Sequence, residues 1–189
     1  MSNSILRRAI FLDRDGVLNR SLVRNGRPYA PLKLEEFELY PGTAEALARL
    51  KRAGFLLIVA TNQPEVARGA LTRSTLDAMH AHMTQALPLD DVMICAQEEG
   101  PDCDCYKPKP GMLLMAAAKH SIDLASSYMV GDRWRDVGAG QAAGCHTVFI
   151  EHGYSERQPN KPDMVAYSLD EAVSFILRHV SDTASIARQ

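Results

Sequence analysis

Short apolar runs rich in β-branched and aromatic residues alternate along this chain with longer stretches of helical period. That alternation predicts an α/β fold built on a parallel sheet. Five runs read as strands, at 9–12, 55–60, 91–95, 127–130 and 146–150, with a weaker sixth at 164–167. Their near-continuous hydrophobicity suits strands covered by helices on both faces. Between them, Leu76, Met79, Met83 and Leu87 recur at helical spacing behind Thr72 or Ser74, either of which can cap the start. Pro41 and Pro110 stand where helices can begin, because a first-turn proline gives up no needed donor. Ser168 and Glu171, three apart before an apolar run, predict a capping box that opens a last helix. Segments 20–39 and 97–109 carry neither period and are expected to be irregular.

The polar residues that interrupt this pattern fall at strand ends. Asp13 directly follows the first strand, Thr61 and Asn62 follow the second, Cys95 closes the third, and Gly131-Asp132 follows the fourth. In an open parallel sheet, ligands bind in the crevice outside the carboxyl ends of the strands, so separate stretches deliver these groups to one rim. Within FLDRDGVLN, Asp13 and Asp15 stand two residues apart, followed by a glycine that permits a sharp turn. A D-x-D pair also serves the metal loops of nucleotide-sugar transferases, and it is often only a solvated turn. An EF-hand loop is excluded, because the glycine and the downstream glutamate are at the wrong offsets. GDRWRD adds Asp132 and Asp136 at a second strand end. Carboxylates gathered at one rim raise one another's pKa unless a cation is present, so a divalent hard ion is the natural resident. One carboxylate beside a phosphoryl group can attack phosphorus, while a second donates a proton to the leaving oxygen and later activates water. Thr61 offers a hydroxyl, and Lys107, in CYKPKPG, offers positive charge from a loop pinned by Pro108 and Pro110. Seen alone, Lys107 would pass for an exposed surface lysine.

Composition narrows the class further. The 189 residues, 46% of them hydrophobic, suit one domain spanning 1–189. The 21 basic and 23 acidic residues leave a formal charge of -2, which argues against a protein that lives on the electrostatics of nucleic acid or an anionic membrane. No apolar run approaches the roughly 18–20 residues of a membrane span, and MSNSILRRAI lacks the pattern of a signal peptide. A cytoplasmic monomer is expected. Cys95, Cys103 and Cys105 crowd one stretch, which in a cytosolic chain points to metal ligation rather than a disulfide framework. Cys145 has the setting of an ordinary buried small residue.

FLDRDGVLN, VATNQPEVARG, CDCYKPKPGMLL and SYMVGDRWRD, in that order over most of the chain, resemble the haloacid dehalogenase (HAD) phosphohydrolases. Within them the chain is similar to the small subgroup of heptose bisphosphate and histidinol-phosphate phosphatases. The resemblance implies a Rossmann-like HAD core with a parallel sheet flanked by helices. It implies no cap domain, since both intervals where caps are inserted are short, so loops must shape the substrate site. It makes Asp13 the nucleophile, Asp15 the general acid and base, and Thr61 and Lys107 phosphate ligands; Asn62, at the same strand end, is a further candidate for binding phosphate or substrate. It places Mg2+ on Asp13, the backbone carbonyl of Asp15 and Asp132, with Asp136 in support. The expected partner is a small phosphorylated metabolite, a heptose 1,7-bisphosphate ahead of histidinol phosphate; a non-catalytic zinc-loop binding module is the alternative of another class.

Three departures from the resembled pattern bear on the loops. A structural zinc there takes three cysteines and one histidine; Cys95, Cys103 and Cys105 match, but Gln97 stands where the histidine belongs, and glutamine is a poor zinc ligand. His80 and His82, on a helix, complete such a site only if the fold brings them near. Tyr106 replaces an arginine that helps bind the substrate, and Glu65 replaces a common glycine. Arg68 and Arg133 are the candidates to compensate, since a lost guanidinium is not replaced by an aromatic ring.

Overall fold

The computed structural model describes residues 6–186. Six parallel strands form its sheet: β1 (Ala9–Leu12), β4 (Leu56–Asn62), β5 (Asp91–Cys95), β6 (Tyr128–Gly131), β7 (His146–Ile150) and β8 (Met164–Ala166). Their spatial order is β5-β4-β1-β6-β7-β8, the doubly wound arrangement in which winding reverses beside the first strand. β1 pairs with β4 through Ala9↔Leu56 and with β6 through Ile10↔Tyr128. The crevice at the reversal therefore opens where β1 and β6 end, immediately before Asp13 and Asp132.

Side chains alternate between two cores, as the period of a strand requires. Ile10, Leu12, Leu57, Val59 and Val130 point to one face. There they meet α1 (Thr43–Arg52), α3 (Arg73–Ala86) and α6 (Leu169–Ile186). Ala9, Phe11, Ile58, Ala60 and Met129 point to the other, which α4 (Gly111–His120) covers with Met112, Leu113 and Ala116. α2 (Pro64–Ala67) and α5 (Trp134–Ala143) follow β4 and β6 and start at the rim.

Most of the expected elements are present with small shifts. Thr72 caps α3 through Thr75 N–H, and Leu76, Met79 and Met83 are buried along it. Ser168 accepts from Glu171 N–H at the start of α6. Thr61 and Asn62 lie inside the end of β4 rather than after it, because that strand runs on to pair Asn62 with Cys95. The segment expected to be irregular holds a hairpin, β2 (Leu22–Arg24) and β3 (Arg27–Tyr29). Its turn is Asn25-Gly26, both at positive φ (51° and 73°), the backbone that a tight hairpin turn demands. Between β4 and β5 the chain holds only α2 and α3 with their connecting loops, so the hairpin and the loops form the walls over the sheet. No described helix is long and apolar enough to cross a membrane.

Candidate active site

Asp13 leaves β1 still tied to the neighbouring strand β6, its N–H donating to Val130 O. The turn that follows is tight: the amides of Val17, Leu18 and Asn19 all reach back to Arg14 O. Gly16, at φ +86°, lies so close to Asp132 that a Cβ would overlap its carboxylate. Gly131 plays the same part on β6, where a Cβ would overlap Asp136. The two glycines let the two strand ends close on each other.

Lys107 enters this floor from the loop after β5 and is 2% exposed. Its ammonium spends its three donors on Asp13 Oδ1 (2.9 Å), Asp136 Oδ1 (2.6 Å) and Ala60 O (2.7 Å). Burial alone would pull this lysine down, but Asp13 and Asp136 outweigh it and hold it above the ordinary lysine range. Asp136, third residue of α5, also accepts from Arg133 N–H at 2.9 Å, which caps the helix and fixes the carboxylate. The loop is held by Asn62, whose amide accepts from Lys107 N–H (3.0 Å) and donates to Lys107 O (3.2 Å).

Asp13, Asp132 and Asp136 bring carboxylate oxygens within 4.8 Å of one another, all buried. Burial, reinforced by Asp136 and Asp15 and opposed by Lys107, pushes Asp13 up to about 6. Burial, then Asp13 and Asp136, lifts Asp132 well above the carboxylate range. Both Asp132 oxygens are buried and make no hydrogen bond of ordinary geometry, the Tyr154 hydroxyl being the donor that faces them. Buried polar atoms left without partners are uncommon, and a hard, oxygen-seeking divalent cation fits this donor set.

Asp15 stands outside that cluster. Arg14 donates to both of its oxygens at 2.9–3.1 Å, Asn19 Nδ2 to Oδ1 (2.9 Å) and Gln63 Nε2 to Oδ2 (2.9 Å). Gln63 also donates to Thr61 Oγ1 at 2.9 Å, so one amide links the carboxyl to the threonine hydroxyl. Arg14 is wholly buried and reaches His80 Nε2 at 3.1 Å. A guanidinium only donates, so His80 must accept as neutral imidazole. Burial and the Arg14 charge agree with that, lowering His80 to about 4.

Above this floor lies a cleft of about 840 Å³, within the range of small-molecule sites. The hairpin forms one wall and residues 154–157 another, joined where Ser155 N–H donates to Gly26 O at 2.8 Å. The loop carrying Lys107 completes it with Tyr106.

The cysteines converge as expected, their sulfurs within 4.8 Å of one another. Where their clustering predicts a metal rather than a disulfide, the structure joins Cys95 to Cys105, whose Cα atoms lie 5.4 Å apart, a separation a disulfide spans. Cys103 is a free thiol 3.6 Å from Cys95 and 3.5 Å from Cys105. Oxidised, the trio is a covalent clip; reduced, it presents three thiolates to a thiophilic ion. Gln97 is exposed.

Comparison with known proteins accords with this geometry. Residues 104–172 match the HAD-hydrolase-like family. The chain is 38% identical over 187 residues to the D-glycero-beta-D-manno-heptose-1,7-bisphosphate 7-phosphatase of Escherichia coli K12, covering 92% of this chain and 90% of that one. The chain belongs to the HAD phosphatases. The namesake enzyme of Pseudomonas putida is 35% identical to this HAD phosphatase over 95% of its length and 97% of the relative's. Among solved structures, D,D-heptose 1,7-bisphosphate phosphatase from B. bronchiseptica, complexed with magnesium and phosphate, superposes with a TM-score of 0.78 at 30% identity. That alignment covers 91% of this chain and 99% of the other.

In this HAD phosphatase Asp13, Asp15, Thr61, Lys107, Asp132 and Asp136 meet at one rim. Asn62 lines the cleft with its amide engaged on the Lys107 backbone. Arg68 and Arg133 line it too, each already paired, with Glu98 and Glu156. Sequence reasoning missed Arg14, Asn19 and Gln63 around Asp15, and the buried bond from His80 to Arg14. Arg14 and Asn19 sit inside the quoted FLDRDGVLN, but nothing in the pattern showed where they point.

Proposed function

We propose that this HAD phosphatase hydrolyses a small phosphorylated sugar through an aspartyl-phosphate on Asp13. The substrate we favour is D-glycero-D-manno-heptose 1,7-bisphosphate, cleaved at its 7-phosphate. The observation that carries the reading is the buried junction of β1 and β6, where an aspartate paired with a lysine faces a second, buried aspartate that makes no ion pair among the described residues. The names of the relatives and the size of the cleft support the sugar. Asp13, the backbone carbonyl of Asp15 and Asp132 would hold Mg2+, with Asp136 beside them, and the ion supplies charge neutralisation to the phosphoryl group.

Asp13 attacks phosphorus, forming a P–O bond as the bond to the sugar oxygen breaks, and Asp15 passes its proton to that oxygen. Asp15, now a carboxylate, takes a proton from water. The water oxygen attacks phosphorus, the bond to Asp13 breaks, and phosphate leaves with Asp13 restored. The Thr61 hydroxyl would donate to a phosphoryl oxygen, Lys107 would turn to the phosphoryl group the donor it gives Asp13 once that carboxylate attacks, and Gln63 keeps Thr61 and Asp15 in register.

The test is a side-by-side kinetic comparison of α- and β-heptose 1,7-bisphosphate, histidinol phosphate and common sugar phosphates with Mg2+. A clear preference for a heptose bisphosphate is expected. A preference for histidinol phosphate would replace the substrate, and no hydrolysis of any ester would point to a non-catalytic module. Asp13→Asn should lower turnover at least about a thousandfold while leaving the melting temperature near wild type, since an amide does not attack phosphorus. Wild-type-like turnover would overturn the mechanism.

A further inference from the structure

We propose that Arg27 and Arg157 form a distal anion subsite that holds the phosphate of a sugar bisphosphate that is not cleaved. This rests on the bisphosphate reading above and assigns the part of the cleft that the catalytic floor leaves unexplained.

Five arginines line the cleft: Arg27, Arg68, Arg133, Arg135 and Arg157. Three are neutralised where they stand. Arg68 pairs with Glu98 and Glu65. Arg133 binds Glu156 through two nitrogens, at 2.9 and 2.6 Å. Arg135 does the same with Glu99, at 2.9 and 2.8 Å. A bidentate pair occupies the guanidinium edge that a phosphate would use, so an incoming anion would have to break it. Arg27 and Arg157 have no carboxylate at ion-pair distance among the described residues. They are the uncompensated guanidiniums of the cleft.

The fold brings these two to one seam. Arg27 follows Gly26 at the hairpin turn, and Arg157 lies two residues beyond Ser155; Gly26 and Ser155 are the residues joined by the 2.8 Å backbone bond. Arg157 rests over the Trp134 ring, 4.5 Å from its centroid. That contact uses the guanidinium face and leaves its N–H edge for a ligand. The seam lies at the outer wall of a cleft whose floor holds Asp13 and Lys107. A monophosphate bound at the floor makes no use of it, whereas a second phosphate on the same sugar would.

The experiment measures kcat and KM for wild type, Arg27→Ala, Arg157→Ala and the double variant on three substrates: heptose 1,7-bisphosphate, heptose 7-phosphate and p-nitrophenyl phosphate. On the bisphosphate, KM should rise about tenfold in each single variant and about a hundredfold in the double, with kcat within about twofold. On the two monophosphates kcat/KM should stay within about twofold of wild type, because they offer nothing to the subsite. Arg157→Lys should recover part of the affinity, since it keeps the charge and loses the fork. A bisphosphate preference that survives the double variant overturns the subsite while leaving the substrate reading intact, as does an equal loss on all three substrates. A wild type with no preference for the bisphosphate over the 7-phosphate overturns both.

Discussion

At the floor of the cleft, Lys107, Asp13 and Asp136 are withdrawn from water and bonded to one another, and the lysine has no donor left over. At the outer wall, Arg27 and Arg157 are exposed, and Arg133, half-buried, is paired with Glu156. The floor is over-determined: moving one group leaves another buried and unpaired. The wall is modular, a set of side chains that can be lost singly. Chemistry that must meet a transition state needs the first kind of site, and substrate choice can be built from the second. The contrast predicts that substitutions at the floor damage stability and rate on every ester, while substitutions at the wall change only which ester is preferred.

Lys107→Met tests the floor most severely. It leaves Asp13 and Asp136 buried without their cation, a situation that costs about 3–5 kcal/mol. In a chain of this size the melting temperature should fall by roughly 10 °C. Hydrolysis of any phosphate ester should drop about a thousandfold or more. A variant that melts near wild type would show that the cluster is not held by its charges, and the contrast would lose its basis.

Two glycines, Gly16 at the floor and Gly26 in the hairpin turn, sharpen it. Both are at positive φ, but a Cβ on Gly16 would overlap the Asp132 carboxylate, while one on Gly26 would meet Ser155 Oγ at 2.5 Å, a side chain free to turn. Gly16→Ala should lose about a hundredfold in kcat/KM on all substrates and require more Mg2+, because Asp132 is displaced. Gly26→Ala should cost about 1 kcal/mol of stability and leave p-nitrophenyl phosphate hydrolysis within about threefold. Equal kinetic loss in the two would mean that hairpin and floor act as one unit.

The same division decides what the amino-acid sequence made legible. Asp13, Thr61 and Asp132 were readable because a strand end in a parallel sheet fixes where the next residue stands, and Lys107 followed from the order of the motifs. The bonds that aim them were not readable. Gln63 reaches Asp15 across 48 residues and His80 reaches Arg14 across 66, and neither separation leaves a periodic trace. The hairpin was different: Asn25-Gly26 is a strong turn signal, overlooked because each strand is only three residues long. With the hairpin went Arg27, and so the wall.

The cysteine loop belongs to both regions, since Cys105 is two residues from Lys107 and one from Tyr106. If the reduced trio holds zinc, protein purified under reducing conditions without chelator should carry it by elemental analysis, and Cys103→Ser should not. Chelation should then lower the melting temperature by several degrees and turnover by a few-fold, through looser placement of Lys107. Reduced protein free of zinc, with chelator and Cys103→Ser both silent, would leave the Asn62 amide and the packing of the loop as what holds it.

The smallest effect concerns the brace behind Asp15. The unfolded chain takes a proton on His80 below about 6.5, whereas the folded protein refuses it until about 4, held neutral by burial and by Arg14. Between those values the unfolded state binds the extra proton, so His80 erodes stability as the pH falls, by at most about 2 kcal/mol at pH 5. His80→Gln removes the titration and keeps an acceptor for Arg14. Urea midpoints of wild type and variant should therefore diverge as the pH is lowered from 7 to 5, with the variant losing less. Parallel midpoints would mean that His80 is not held neutral against Arg14. The over-determined floor would then end at Asp15 instead of extending through Arg14 into α3.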